Sequence, residues 1–314
     1  MRVTSAMLQR ASLNGINRNR ANLATIQEQA SSLRRLIRPS LDPLAAGTRA
    51  SLDSGIAENQ QLARNQGQAR ARLGVSEGAL YQVNNLMIRA LAEVEKAAND
   101  SNQGAPRLAI AQEIESIHGE LLALANTRLS GGHVFGGYAG STAAFTQVGT
   151  FSGGVPPTVN FSGDPSEIEI EISDGVRSPT SLNGQRVFLG DGDGNGAPDA
   201  GRVDIFQTLE TLWQNLQADN LPGIQTAIDD LQAGHDQILL EITQIGGYSN
   251  RVNGAATATD NLEFEQISRR TAVEGSDTQD LYEIFSDLAL QENALQASLE
   301  VSARVLQQSL LDFL

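Results

Sequence analysis

The sequence predicts a mainly α-helical protein with a small inserted β domain. Its two ends form antiparallel coiled-coil arms and the rest a helical-bundle body. Three observations carry that expectation. Apolar residues near both ends recur with a period of about 3.5 residues, the spacing of one helix lying along another. Hydrophobic residues make up 40% of the chain but aromatic residues only 4%, a balance that suits long helices better than a compact enzyme core. Between the helical stretches lies a segment rich in Gly, Pro, Ser and Thr that contains the strictly alternating "EIEIEIS", which is strand patterning.

Over residues 1–38, Ile16, Leu23, Ala30 and Ile37 fall at heptad spacing, with Ile26 and Leu33 interleaved and only Asn19 interrupting. That is an a/d seam. "IRPSLDPLAAG" (Ile37–Gly47) then brings Pro39 and Pro43. The two prolines end the arm, Asp42 can cap the next helix, and Pro43 suits that helix's first turn. Residues 46–99 read helical through Leu73, Leu80, Val83 and Met87, until the turn residues of "NDSNQGAP" (Asn99–Pro106) stop them. Residues 106–130 form another helix, begun by a tolerated first-turn proline.

The glycines of "SGGHVFGGYAGS" (Ser130–Ser141) read as a hinge into the β domain. There "TVNFSGDP" reads as a strand and turn, and "RVFLG" (Arg186–Gly190) as a further strand. "EIEIEIS" (Glu167–Ser173) puts Ile168, Ile170 and Ile172 on one face and glutamates on the other. Helix resumes at Val203, restarts at Leu221–Pro222 and continues to about Ile267, weakened at Gly246, Gly247 and Gly254. "EGSDTQD" (Glu274–Asp280) breaks it, with Ser276 or Asp277 as the next cap. The last helix sets Leu281, Phe285, Leu288, Leu295, Leu299, Leu306 and Phe313 on a second stripe of the same period, interrupted at Glu292, Ser302 and Ser309. Three domains result: residues 1–45 with 276–314 as the coiled-coil arms, 46–140 with 202–275 as a helical rod, and 141–201 as the β insertion. Neither arm holds its helix alone in water.

Charge sharpens the pairing. Residues 1–50 hold eight arginines against Glu28 and Asp42, a net of +6, while residues 276–314 hold seven acids against Arg304, a net of −6. Such arms attract, within one chain or between subunits, with Arg34, Arg35 and Arg38 among the cations that select the partner.

Other chemistry is mostly excluded. A net charge of −15 and a pI near 4.6 argue against nucleic acid as partner. No run of 18 apolar residues is present, so membrane insertion is not expected, and the first residues lack the apolar core of a secretory signal. With no cysteine, disulfides, zinc–thiolate sites and cysteine nucleophiles fall away. His118, His133 and His235 are too scattered for a metal triad, and "SGGHVFGG" lacks the Lys-Ser/Thr of a phosphate-binding loop. "DGDGNGAPDAGR" (Asp191–Arg202) matches a calcium loop at Asp191, Asp193, Asn195, Gly196 and Asp199, but Arg202 stands where the bidentate glutamate belongs. An ordinary Asp/Gly turn is the better reading. No catalytic site, cofactor or resident metal is expected.

Three stretches carry a resemblance. "SSLRRLIRPSLDPLAAG" (Ser31–Gly47) is similar to a pattern of the bacterial flagellin superfamily, matching it at Arg38, Pro39, Ser40, Asp42 and Pro43. "ITQIGGYSNRVN" (Ile242–Asn253) resembles that superfamily's late Gly-x-x-x-Asn-Arg segment through Asn250 and Arg251. The closing "SARVLQQSLLDFL", with Leu306, Leu310 and Phe313, resembles the hook–filament junction branch more than a filament subunit. Leu33, Ile37 and Leu41 depart from the pattern's Gly, Asn and Asp, which makes the arm more apolar and implies a packed joint. The resemblance implies a structural subunit forming a ring layer between a hook-side junction protein and the first flagellins. It implies extracellular assembly after unfolded passage through the flagellar type III export channel, and an export chaperone binding near Leu281–Leu314. Filament flagellin is the alternative inside the superfamily; a calcium-dependent binding module is one outside it, and a hydrolase is the weakest.

Overall fold

A computed structural model of the protein describes residues 5–99 and 104–311, with side-chain surroundings at Met7 and over residues 10–304. The helices are α1 (Ser5–Ser32), α2 (Pro43–Ala97), α3 (Ala105–Ala125), α4 (Ile205–Gln217), α5 (Leu221–Glu274) and α6 (Thr278–Leu311). Three antiparallel strand pairs lie between α3 and α4 in sequence. They are β1 (Arg128–Leu129) with β2 (Gly132–His133), β3 (Phe145–Val148) with β4 (Thr158–Phe161), and β5 (Glu169–Ser173) with β6 (Val176–Pro179). The helical protein with a β insertion is thus the observed fold. The chain divides into two compact units, Met1–Gln60 with Asp260–Leu314, and Gln61–Thr259. We call them the arm unit and the body unit; both divisions fall inside long helices, α2 and α5.

In the arm unit, local chemistry sets each helix end. Leu33 adopts the left-handed conformation (φ 54°) just past α1, and the Arg34 N–H reaches back to the Gln29 carbonyl at 3.2 Å. That closes the helix with the bond pattern glycine usually provides. Asp42 caps α2, accepting the Ala45 N–H at 2.9 Å, with Pro43 as the first helical residue. Of the two candidate caps for α6, Asp277 does the work, its carboxylate accepting the Asp280 N–H at 2.8 Å. α1 and α6 run antiparallel: Ser12 meets Ser302 (Oγ–Oγ 2.5 Å), while Gln291 donates to the Asn19 carbonyl at 3.3 Å, so partner numbers fall as α1 advances. The start of α2 and the end of α5 pair likewise, through Asn59 with Gln266 (3.0 Å) and Gln60 with Glu263 (3.1 Å).

The body unit has a continuous core. Leu73, Leu80, Val83 and Met87 of α2 belong to it with Ile114, Ile117 and Leu121 of α3, Leu209 and Leu212 of α4, and Leu231, Ile238 and Ile245 of α5. α5 runs unbroken through Gly246, Gly247 and Gly254, because the buried Ile238, Ile245 and Val252 on one stripe outweigh glycine's weak helix preference. Phe135, Phe145, Phe188 and Phe206 form an aromatic cluster with ring centroids 5.1–6.1 Å apart.

One strand expectation fails. "RVFLG" is not a strand: Gln185–Leu189 wind into a single π-helical turn, started by Asn183 Oδ1 accepting the Gln185 N–H (2.9 Å) and ended by Gly190 at φ 70°. A short apolar run does not distinguish strand from buried helical turn, and the Asn183 cap decides here. "EIEIEIS" does form β5, with Ile172 buried and Glu169 and Glu171 exposed.

Candidate assembly interface

The α1 side of the arm seam follows the predicted spacing. Ile16 is buried, and Asn19, Leu23, Ile26 and Ala30 are half-buried along one face. Leu33 leaves the seam: it caps the helix end and is 49% exposed. Ile37 is half-buried in the connection and Leu36 beside it is buried, but Leu41 is 48% exposed. The packed joint therefore rests on Leu36 and Ile37 and not on Leu41. Pro39 sits in the exposed turn where the Leu41 N–H bonds the Arg38 carbonyl at 3.0 Å.

On α6 the seam is rotated from the expected stripe. The inward face is Leu281, Ile284, Leu288, Gln291, Leu295, Ser298 and Ser302, each half-buried or buried. Leu281, Leu288 and Leu295 lie on this face, but the alternate rung is Ile284 and not Phe285, which is 51% exposed; Leu299 is exposed too, at 42%. A 3.5-residue period alternates steps of three and four, and both choices from Leu281 land on an apolar residue. The geometry takes the first. The Leu306 and Leu310 side chains and all of Phe313 lie outside the described residues.

Electrostatics depart further from expectation. Arg34 and Arg49 converge on Glu274, at 3.5 and 2.9 Å, and that carboxylate is buried at the end of α5. The Glu274 carbonyl also accepts the Arg35 and Leu36 N–H groups, each at 3.0 Å. Arg38 turns back to Glu28 of α1, while Arg35 reaches α6 at Asp280 (4.0 Å). Among the described residues, Arg10, Arg18 and Arg20 make no ion pair, nor do Glu283, Asp287, Glu292 and Glu300. Among the described residues, the one ion pair between the N-terminal arginines and α6 is that of Arg35 with Asp280. Glu274, the hub of the connection, was missed because sequence shows it only as the edge of a polar break.

Asn250 and Arg251 lie exposed on α5 in the body unit, and among the described residues neither side chain has a hydrogen-bond or ion-pair partner. The body unit instead carries a buried network that sequence reasoning did not find. Glu241, fully buried, takes Arg186 on both oxygens (3.2 and 3.0 Å) and Arg202 at 3.0 Å. Arg186 also contacts Glu167 at 3.1 Å. Burial pushes the Arg186 pKa down, but the facing carboxylates outweigh it and hold it above the ordinary value.

The calcium-like loop satisfies itself. Asp191 Oδ1 accepts the N–H groups of Gly194 (2.7 Å) and Asn195 (3.2 Å), while Oδ2 accepts Gly196 (2.8 Å) and the Gln185 amide (2.6 Å). An ionised carboxylate has about four acceptor sites, and all are taken. Burial pushes this carboxyl up, but the surrounding N–H donors win and hold it below its ordinary value. Although Asp193 and Asp199 lie close, the arrangement is a turn stabilised by its own amides.

His118 is buried edge-on between Phe151 and Phe206, with Nε2 3.3 Å from Glu210 Oε1. Among the described residues it hydrogen-bonds no hydroxyl. Asp204, which caps α4 through the Gln207 N–H (3.0 Å), is pushed up to about 6, first by burial and then by the charge of Glu210.

Long helices from the two ends of the sequence, a helical body and a β insertion between its helices set the comparison with known proteins. Residues 3–139 match the family described as the bacterial flagellin N-terminal helical region. The chain is similar to flagellar hook-associated protein 3 of Escherichia coli (strain K12), with 25% identity over 315 aligned positions that cover 95% of each chain. Flagellar hook-associated protein 3 of Salmonella typhimurium is 30% identical over 156 positions, 49% of each chain. The crystal structure of the flagellar junction protein FlgL from Legionella pneumophila shares the fold, with TM-score 0.57 at 16% identity, covering 74% of this chain and all of that one.

Proposed function

We propose that this chain is a structural subunit of the bacterial flagellum, assembled where hook meets filament. One observation carries the reading: the arm seam is only half buried within one chain. Of α1 and α6 together, only Ile16 and Ile284 are buried among the described residues. A seam of that kind gains its stability when neighbours cover it. The likeness to hook-associated protein 3 along almost the whole chain supports the same place of work.

On this reading the subunits close into a ring through their arms, between a hook-side junction protein on one side and flagellin on the other. The arms are residues 1–45 with 276–314, the rod 46–140 with 202–275, and the β domain 141–201. The chain leaves the cell unfolded through the flagellar type III apparatus, and an export chaperone holds the region of α6 beforehand. The lack of cysteine suits a chain that must stay unfolded and uncrosslinked in transit. The "RPSLDP" turn and "SLLDFL" ending favour the junction over filament flagellin. The role is one of assembly and not of catalysis.

Deleting the gene tests the proposal. Cells should keep hooks, lose filaments and shed flagellin into the medium. Hooks bearing normal filaments after deletion would sink it.

A further inference from the structure

Three polar side chains of the body unit converge on one pocket without a partner among the described residues. The pocket measures about 390 Å³ and lies between α2, the β1–β2 hairpin and β5, with Gln68, Arg72, Leu129, Ser130, Gly132 and Ile170 on its walls. Gln68 and Arg72 stand four residues apart on α2, so they share a face. Leu129 and Gly132 are a paired rung of the hairpin, joined by Ser130 at φ 49° and Gly131 at φ 86°. A two-residue hairpin turn of this kind needs both central residues in the left-handed region. Strand β5 is tied to α2 by Gln66 and Asn65, which donate to the Ile172 and Glu171 carbonyls at 2.7 and 3.1 Å. Among the described residues, the Gln68, Arg72 and Ser130 side chains make no hydrogen bond or ion pair, and Arg72 Nε is buried with no acceptor. Arg72 is half-buried. The other arginines of the body that burial reaches, Arg89, Arg107, Arg186 and Arg202, each meet a carboxylate. Arg72 lacks that compensation, and burial pushes its guanidinium below the ordinary arginine value.

We propose that this pocket binds a carboxylate with a short apolar stem, the oxygens on Arg72 and the stem between Leu129 and Ile170. A guanidinium presents its N–H groups as a fork that matches the two oxygens of a carboxylate. The Ser130 hydroxyl and the Gln68 amide add neutral donors for the remaining lone pairs. A donor buried without an acceptor costs stability that a bound oxyanion restores. The volume is at the small end of ligand pockets, which suits an acid of a few carbons. A free short-chain acid and a glutamate side chain projecting from another protein both offer that chemistry. The inference does not depend on the junction reading, because the pocket lies in the body unit and uses no arm residue.

The test follows the Arg72 Nε–H signal by NMR in the purified full-length chain, the signal being identified by its loss in Arg72→Lys. Sodium butanoate, sodium acetate and a capped glutamate are titrated in turn, with sodium chloride at equal ionic strength as control. Butanoate should move the signal saturably, and acetate should bind about fivefold more weakly because it lacks the stem. A stronger response to butanoate than to capped glutamate assigns a free acid, and the reverse assigns an acidic side chain. Arg72→Gln, followed through the neighbouring backbone amides, should weaken binding about tenfold or more. The same variant should keep or raise the melting temperature, since it removes a charge that has no partner. No saturable shift with any carboxylate, or an equal shift with chloride, would overturn the site. A melting temperature lowered by Arg72→Gln would show that the arginine already serves the fold, and would overturn it as well.

Discussion

The arm unit and the body unit are built from the same kind of long helix, yet they close their cores by opposite means. In the body, Leu73, Leu80, Ile114, Leu121, Leu209 and Leu231 are almost wholly buried, and a charged group as demanding as Glu241 is sealed in with its partners. In the arms, a hydroxyl pair and an amide–carbonyl contact form rungs of the seam, and most of its leucines stay half open. A two-helix pair cannot enclose its apolar face, whereas four helices and a β layer can. The difference teaches that one unit completes its packing by itself while the two-helix seam leaves much of its apolar face open within the chain.

The sharpest way to break that contrast is to attack the body's network. Glu241→Ala strands the Arg186 and Arg202 guanidinium groups around an empty pocket. Removing one partner of a buried ion pair costs about 3–5 kcal/mol. Both arginines keep some contact with water, at 22% and 21% exposure, so the lower end of that range is expected. Urea unfolding followed by Trp213 fluorescence, in the body core, should report the loss. A variant within 1 kcal/mol of the native chain, a threshold of about the size of an ordinary substitution effect, would mean the network does not hold the body together.

Asp204 is a smaller strain in the same unit, and its sign is definite. Its folded value near 6 stands above the ordinary 3.8, so the folded state binds the proton more tightly. The stability it contributes is complete below pH 3.8 and is lost as pH rises through 6. Asp204→Asn keeps an equally good helix cap and removes the titration. Discounted for partial exposure of the carboxyl, the variant should gain about 2 kcal/mol near pH 7 and little near pH 4. Equal slopes of melting temperature against pH for the two chains would discard the burial account of Asp204.

What sequence revealed follows the same divide. Heptad spacing announced the arms because a helix pair is a one-dimensional pattern, and Ile16, Leu23, Ile26, Leu281, Leu288 and Leu295 were readable from it. The rotation that exposes Phe285 and buries Ile284 was not readable, since α6 is apolar on both lines and only α1's placement chooses between them. The Arg186–Glu241 pair joins residues 55 positions apart, and nothing local marks them as partners. The same holds for Glu274, whose value lies in what Arg34 and Arg49 do to it. At "RVFLG" the signal was present but elsewhere, in the Asn183 side chain that starts the turn.

Leu33 offers the gentlest test, at the edge of the arm. It holds φ at 54°, where a side chain with a Cβ is strained and glycine is not. Its side chain is half exposed, so little apolar burial is given up by shortening it. Relief of the left-handed conformation is worth about 1 kcal/mol, partly offset by the greater freedom glycine has in the unfolded chain. Leu33→Gly should therefore leave the arm unchanged or firmer by a few tenths to about 1 kcal/mol. Amide hydrogen exchange over α1 and α6 reads that change, with the body's exchange as the internal reference. Faster exchange confined to α1 and α6 would show that Leu33 packs more than it strains. The joint would then hold its angle through that side chain, and the Gln29–Arg34 closure would be secondary.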